Sequence, residues 1–535
     1  MARSLKRMKA GKACSEDGLV AEMLQAAPDH LLEMLALLFS DLLSGRGGMP
    51  EDWKTNRLIV LFKKGDASLP KNYRPIMILP VLSKLFSGIL LERMSEKLEE
   101  KRTPEEMGFR KRYSCSDLIH TLRMMGERAM EFGETIWMAS LDLEKAFDKV
   151  LHAAVFDALD DAEVDSCTVS AVRALYSNNK ACIRRTGGAN SRVFDILRGV
   201  RQGDPLSPAL FTNAVRVKMQ SLKRKWEQQK YGTIVGSNSE CSSRITYAMF
   251  ADDTTLIARS RRTLRLMIHD ICTELSSIGL NVNADKCCIQ HTTRMGKASV
   301  DVDGQRFPVV PREEGFKVLG VQFTLDGCVR REFDLRMKAA YGKFNSLFEL
   351  LTKRDANVKK RLLLFQSTVT QTALWCSESW TLTVAQKRHL RAVQRRFLRQ
   401  IAGPRRAPDQ EYIPWIKQST KQAEVKARDA GVECWLTDAL RRKWVWAGKL
   451  VRAEPERLAR RCTVWRDSEW WTQQPRGASA YGARPMRAKP GHFSRWENDL
   501  INFSRHQGWA SWQVEARCEE TWMSMTEQFV SFTWR

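Results

Sequence analysis

The sequence predicts a multidomain α+β protein organised around a carboxylate cluster. Three observations carry that prediction. The chain has 535 residues, more than one hydrophobic core holds, so two to four domains are expected. Strand-like and helix-like periodicities alternate up to about residue 330, after which the chain turns basic, helical and rich in tryptophan. Two acidic segments, Leu141-Asp142-Leu143-Glu144-Lys145-Ala146-Phe147-Asp148 and Phe250-Ala251-Asp252-Asp253, each follow an apolar run that reads as a buried strand.

Residues 17–43 read as helix in two pieces around Pro28, with Leu31, Leu32, Leu35, Leu38, Phe39 and Leu42 on one face. A strand follows at Leu58-Ile59-Val60-Leu61-Phe62 and ends in the charged turn Lys63-Lys64-Gly65-Asp66. In Asn72-Tyr73-Arg74-Pro75-Ile76 the proline disfavours helix. Val81, Leu82, Leu85, Phe86, Ile89 and Leu90 mark the next helix. Ile136 to Leu143 reads as a strand with Asp142 at its end, and Leu151, Ala154, Val155, Ala158 and Leu159 pattern the helix after it. Residues 206–220 read as a helix behind Arg201-Gln202-Gly203-Asp204-Pro205. Ile245, Tyr247 and Met249 alternate up to Asp252 and Asp253, and Thr254 to Ala258 run back as a hairpin. Leu264, Ile268, Ile271, Leu275 and Ile278 form the next helical stripe. Strand, helix, hairpin and helix around carboxylates make a split βαβ, ferredoxin-like arrangement.

Composition narrows the function. Lys and Arg number 87 against 62 Asp and Glu, a net charge of +25, which favours a polyanionic partner, nucleic acid before anionic membrane. No run reaches the roughly 18 apolar residues of a membrane span, and Met1-Ala2-Arg3-Ser4-Leu5-Lys6-Arg7 is no secretory signal. The 13 cysteines are scattered without zinc spacing, which reads as reduced thiols in a cytosolic or nuclear protein. Residues 353–406 hold 13 Lys and Arg and only Asp355 and Glu378 as acids, and 14 of 17 tryptophans lie at or beyond Trp375. Residues 472–494 read as a loop.

Carboxylates gathered at strand ends are costly unless a cation neutralises them. Mg²⁺ suits them, since it takes oxygen from one or two carboxylates and the rest from water and substrate phosphates. The cluster suggests two-metal phosphoryl transfer. Guanidinium suits a phosphate fork and ammonium acts as a point charge, so Arg74, Lys63 and Lys64 are candidates for phosphate contact. Gly203 permits close backbone approach. In the basic region Leu390, Val393, Phe397, Leu398 and Ile401 form an apolar stripe, with Arg388, Arg391, Arg395 and Arg399 on the other side, as in a helix laid on a phosphate backbone. Lys443, Trp444 and Trp446 are candidates for base contact.

In this order the strings resemble the reverse transcriptases of non-LTR (LINE-type) retrotransposons. Ser15-Glu16-Asp17-Gly18-Leu19 comes first, then Lys63-Lys64-Gly65-Asp66, Asn72 to Ile76, Gly108-Phe109-Arg110, Leu141 to Asp148, Arg201 to Pro208, Phe250 to Asp253, Gly279-Leu280-Asn281-Val282-Asn283-Ala284-Asp285-Lys286 and Val318-Leu319-Gly320. The resemblance covers roughly residues 11–325. It implies a right-hand polymerase fold: fingers 11–135, ferredoxin-like palm 136–325, helical thumb 326–410 and a basic, Trp-rich, mainly helical C-terminal region 411–535.

The implied activity is RNA-directed DNA polymerisation with two Mg²⁺ or Mn²⁺ ions. Asp142 and Asp252 would hold both, helped by Asp253 and the Leu143 carbonyl. Phe147 would bar a 2′-hydroxyl, and Gln202 and Gly203 would meet the nascent base pair. Lys286 would protonate leaving pyrophosphate, and Phe316 to Phe323 would grip the primer end. The implied partners are an RNA template, a DNA primer and deoxynucleoside triphosphates, with a ribonucleoprotein of element RNA in nucleus and cytoplasm and no membrane. No endonuclease domain precedes residue 11 and no zinc knuckle is seen, so an endonuclease is expected from elsewhere. The competing expectations are an inactive remnant that binds RNA without polymerising, and an RNA polymerase or intron-type reverse transcriptase; Phe147 disfavours ribonucleotides, and Phe250-Ala251-Asp252-Asp253 with the Trp-rich tail favours LINE-type elements.

Overall fold

The computed structural model describes residues 1–14, 17–184, 190–235, 243–293, 299–464 and 494–534. Ser15 and Glu16 of the first matched string, and the expected loop at 472–494 as far as residue 493, lie outside the described residues.

The N-terminal helical pattern divides at Pro28 into α1 (Ala21–Gln25) and α2 (Asp29–Ser44). Leu35, Phe39 and Leu42 are buried, and Phe39 meets the rings of Trp53 and Phe86. Leu31 and Leu38, expected on the same face, stay exposed. The buried stripe is narrower than the apolar one because α2 packs on one side only. Strand β1 (Thr55–Phe62) pairs antiparallel with β2 (Tyr73–Ile78), bringing Arg74 opposite Leu61. Helix α3 (Val81–Glu100) follows, then α4 (Cys115–Phe132), which opens with a capping box of Ser114 and Asp117.

Strand β3 (Trp137–Leu141) leads to α5 (His152–Asp161) and α6 (Ser166–Tyr176). Strand β4 (Lys180–Ile183) runs parallel to β1, and β5 (Phe194–Asp195) closes that sheet in the order β2-β1-β4-β5. Next come α7 (Ser207–Gln228), β6 (Tyr247–Phe250), β7 (Asp253–Ala258), α8 (Arg261–Ser276) and β8 (Cys288–His291). Their sheet has the order β8-β3-β7-β6 with every pair antiparallel, the ferredoxin-like arrangement that the sequence predicts.

Period-two alternation decides what each face of this sheet meets. Ala139, Leu141, Leu256 and Ala258 share a core with Leu210, Phe211, Leu264 and Ile268 of α7 and α8. Met138, Ala248 and Ile257 face the other way, into a core with Leu118, Leu122 and Met125 of α4.

Among the described residues, the hairpin β9 (Phe316–Val318) and β10 (Val321–Phe323) leads into helices only. They include α9 (Arg330–Ser346), α10 (Val358–Phe365), α11 (Val384–Ala402), α12 (Tyr412–Asp429) and α13 (Trp435–Val451). Farther on are α14 (Leu458–Val464), α15 (Asn498–His506) and α16 (Thr526–Trp534). Their apolar faces join the core under α4 without a break, so one core runs across the expected divisions at 325 and 410. Buried polar groups of α4 meet the C-terminal helices as well. Asp117 pairs with Arg457 at 2.5 Å, His120 Nε2 lies 2.8 Å from Thr463 Oγ1, and Glu127 accepts from the Trp496 backbone at 2.8 Å. No described helix is long and apolar enough to cross a membrane.

Candidate catalytic site

The antiparallel register builds the site. Leu141 lies opposite Thr254, so one residue further Asp142 leaves β3 at the level of Asp253. Phe250 pairs with Asp253 across a two-residue turn whose Ala251 is left-handed, at φ 59°, and Asp252 projects from its tip. The three expected carboxylates thus share one sheet end.

Their environment resists charge. Burial pushes the Asp253 carboxyl up to about 6, and the charges of Asp252 and Asp142 add to the rise. Asp252 is open to solvent at the cleft mouth, but the protein on its flanks raises it too. Asp142 adds to that rise, while Arg74 and Lys63 oppose it. Arg74 and Lys63 are therefore brought toward the site. Lys64, expected beside them, is exposed at the end of β1 with no charged partner among the described residues.

The strand after α8 closes the floor. Asn283 N–H donates to the Asp142 carbonyl and Glu144 N–H to Asn281, each at 2.9 Å, and Leu143 bridges Val282. This zipper delivers Lys286, whose Nζ lies 3.4 Å from Asp142 Oδ2.

The three carboxylates do not close into a three-ligand metal cage among the described residues. An open set is what Mg²⁺ takes when water and substrate phosphates complete its shell. Two features fit such an ion. The carboxylates hold one another in a state that a cation would relieve. The Leu143 carbonyl accepts no hydrogen bond from the described residues.

The second wall comes from the loop before α7. Val200 N–H donates to the Phe147 carbonyl at 2.7 Å, and Met77 N–H to the Gln202 carbonyl at 2.7 Å. Gly203 is at φ 116° with its missing Cβ 2.7 Å from the Met77 carbonyl, so only glycine fits. Gln202 Nε2 donates to Asp148 Oδ1 at 2.5 Å. Phe147 is half-buried, stacked on Phe211 at 4.3 Å and edge-on to Phe109 at 6.5 Å. Arg201 is buried with Asp204 as the anchor of this loop.

Four residues escape a reading of the sequence: Asp148, Gly108, Trp375 and Arg336. Asp148 holds Gln202, but 54 positions separate them. Gly108, to which the sequence assigns no role, lies against the catalytic turn, where a Cβ would sit 2.3 Å from Ala251 N. Its strand-like neighbours bond the edge of β6, Met107 N–H to Met249 carbonyl and Met249 N–H to Glu105 carbonyl. At the expected primer grip, Trp375 Nε1 donates to the Leu319 carbonyl at 3.1 Å and Arg336 donates to the Gly320 carbonyl.

The nucleic-acid candidates divide. Leu390, Val393, Phe397, Leu398 and Ile401 are buried, with Arg388 exposed and Arg391, Arg395 and Arg399 half-buried on the opposite side of α11. Lys443, Trp444 and Trp446 are a correction. Lys443 is 2% exposed and paired with Asp499 at 2.8 Å. Trp444 is wholly buried and stacks on Trp522 at 3.5 Å, each indole N–H donating to the other residue's carbonyl. Trp446 is 6% exposed, edge-on to His120 at 5.9 Å. All three belong to the core, because α13 is packed on nearly every side.

Residues 62–323 match the family described as "Reverse transcriptase (RNA-dependent DNA polymerase)". The chain is 27% identical over 332 residues to the retrovirus-related Pol polyprotein from type-2 retrotransposable element R2DM of Drosophila melanogaster, covering 61% of this chain and 30% of that protein. It is 30% identical over 299 residues to the Pol polyprotein from type-1 retrotransposable element R2 of Popillia japonica, covering 53% and 40%. The RNA-directed DNA polymerase from mobile element jockey of Drosophila melanogaster is 25% identical over 326 residues, covering 59% and 33%. The chain thus spans less than half the length of these curated relatives. Among solved structures it is similar to telomerase from Candida albicans, 12% identical with a TM-score of 0.40, covering 68% of this chain and 67% of that one.

Proposed function

We propose that this chain, whose residues 62–323 belong to the reverse transcriptase family, is the polymerase of a non-LTR retrotransposon and copies RNA into DNA. The observation that carries the reading is the meeting of Asp142, Asp252 and Asp253 at one sheet end, with Phe147 and Gln202 in the adjoining wall. Asp142, Asp252, Asp253 and the Leu143 carbonyl would hold two Mg²⁺ or Mn²⁺ ions, which activate the primer 3′-hydroxyl and steady the triphosphate when bound.

The chain's own groups do the rest. Arg74 and Lys63 grip the triphosphate, and Lys64 is exposed enough to join them once nucleotide is bound. Phe147, braced by Phe211, presents a wall where a 2′-hydroxyl would project. Gln202, aimed by Asp148, and Gly203 meet the nascent base pair. Lys286, with Nζ 3.4 Å from Asp142 Oδ2, would give its proton to the departing pyrophosphate. The β9–β10 hairpin holds the primer end, and the α11 arginines contact phosphate. The partners are an RNA template, a DNA primer and deoxynucleotides, in a ribonucleoprotein shared between nucleus and cytoplasm.

Extension of a DNA primer on an RNA template, with deoxy- and ribonucleotides in parallel, tests this reading. The parent should use deoxynucleotides at least about 100-fold better, on the scale of a hydroxyl clash of about 3 kcal/mol, and Phe147→Val should erase most of that preference. Equal use of both sugars by the parent would overturn the gate.

A further inference from the structure

A groove of about 570 Å³ separates α11 from α12. Arg388, Arg391, Arg395 and Arg399 line one wall. Lys417 and Lys421, which belong to no motif, line the other and are exposed. Glu424 is the one carboxylate among the lining residues, against these six cations. Eleven residues of helix separate Arg388 from Arg399, about 16 Å at a rise of about 1.5 Å per residue, long enough for several phosphates.

Two of the arginines are ordered from within. Arg395 pairs with Glu424 at 2.7 Å, and Arg399 donates to Thr420 Oγ1 at 3.0 Å. Their side-chain entropy is thus largely lost before any ligand arrives. Arg391 stacks on the Trp534 ring at 3.8 Å. Trp534 is 39% exposed, and α16 is moored to α11 by Lys387 Nζ on the Thr533 carbonyl at 2.9 Å.

Charge on both walls suits a strand lying between them. A duplex is a convex rod with phosphates on its outside. A cleft between two packed helices, axes about 8–10 Å apart, admits one sugar-phosphate chain. An exposed indole beside a basic track is the pairing that holds unpaired bases. We propose that the α11–α12 groove, with Trp534 at its edge, binds a single-stranded stretch of nucleic acid. This inference rests on the reading of the α11 arginines as phosphate contacts, and its test needs no polymerase activity.

The test is fluorescence anisotropy on the full chain without nucleotides, using labelled 20-mers of oligo(rU) and oligo(dT) and a hairpin duplex of equal length. Lys417→Ala/Lys421→Ala should weaken one or both single strands about tenfold and lower the salt slope by about 1.4, two contacts at about 0.7 each. Duplex affinity should change less than about twofold. Trp534→Leu should cost a single strand about fivefold and leave the duplex unchanged. Lys359→Ala/Lys360→Ala, an equal charge change on exposed lysines outside the groove, should keep parent affinity. The oligomer that responds identifies RNA or DNA as the strand held. The proposal is overturned if the groove variant binds both single strands like the parent, if duplex affinity falls in step, or if the control loses as much. Unchanged thermal denaturation of each variant confirms that the helices are intact.

Discussion

Asp253 shows at residue scale what the site costs the fold. The folded chain holds its carboxyl at about 6 against an ordinary 3.8, so the unfolded chain ionises first and stability falls as pH rises from about 4 to about 6. Without divalent metal, Asp253→Asn should therefore stabilise the chain by about 1 kcal/mol at pH 7, a shift discounted for partial exposure. The gain should vanish near pH 3.5, which urea denaturation at the two values would read. Added Mg²⁺ should raise the parent's melting temperature more than the variant's. Asp148→Ala should raise KM for deoxynucleotides about tenfold with a smaller loss of kcat, since it frees Gln202 without touching the carboxylates. An unchanged KM would mean that the 2.5 Å bond positions nothing. The meeting of Asp142, Asp252 and Asp253 at one sheet end is legible in the sequence because a carboxylate closing an apolar strand is costly without a cation to meet it. The Asp148–Gln202 pair is not, because long-range side-chain partners leave no periodic trace.

At the scale of elements, the Ala251–Asp252 turn is braced from outside its own hairpin. Gly108 leaves no room for a Cβ against Ala251, so Gly108→Ala must push the turn aside. A loss of about 1–3 kcal/mol is expected from such overcrowding, together with slower extension. An unaffected variant would show that the turn holds its own shape. The β9–β10 tip is held in the same manner, Leu319 at φ 46° with its carbonyl on Trp375. Trp375→Phe keeps the ring and removes the bond, so primer affinity should fall about three- to tenfold while affinity for template RNA alone stays. The hairpins, the α2 division at Pro28 and the α11 stripe are readable from periodicity and turn residues. The strap at Glu105 to Gly108 is not, since a few residues pairing with a sheet edge carry no period.

At the scale of the whole molecule, the tryptophan-rich region is part of the catalytic body. Asp117, His120 and Glu127 of α4 find partners at Arg457, Thr463 and Trp496. Removing residues beyond 434 would take these partners away and expose the core beneath α4, and such a chain should fail to fold cooperatively. Trp444→Ala should cost about 3–5 kcal/mol and lower the melting of the whole chain as one transition. Two separate transitions would mean independent units. Sequence could not assign these indoles, because a tryptophan that stacks a base and one that fills a core occupy the same basic, amphipathic helix pattern. Only packing around α13 separates them. The proposed function places metal-dependent polymerisation at the β3–β7 sheet end. Extension of oligo(dT) on poly(rA) with Mg²⁺ and deoxythymidine triphosphate, beside a folded Asp252→Ala chain, tests it most directly. The parent should extend the primer, and the variant should lose at least about a thousandfold in rate. Equal extension by both, or none by a folded parent that still binds RNA, would contradict it.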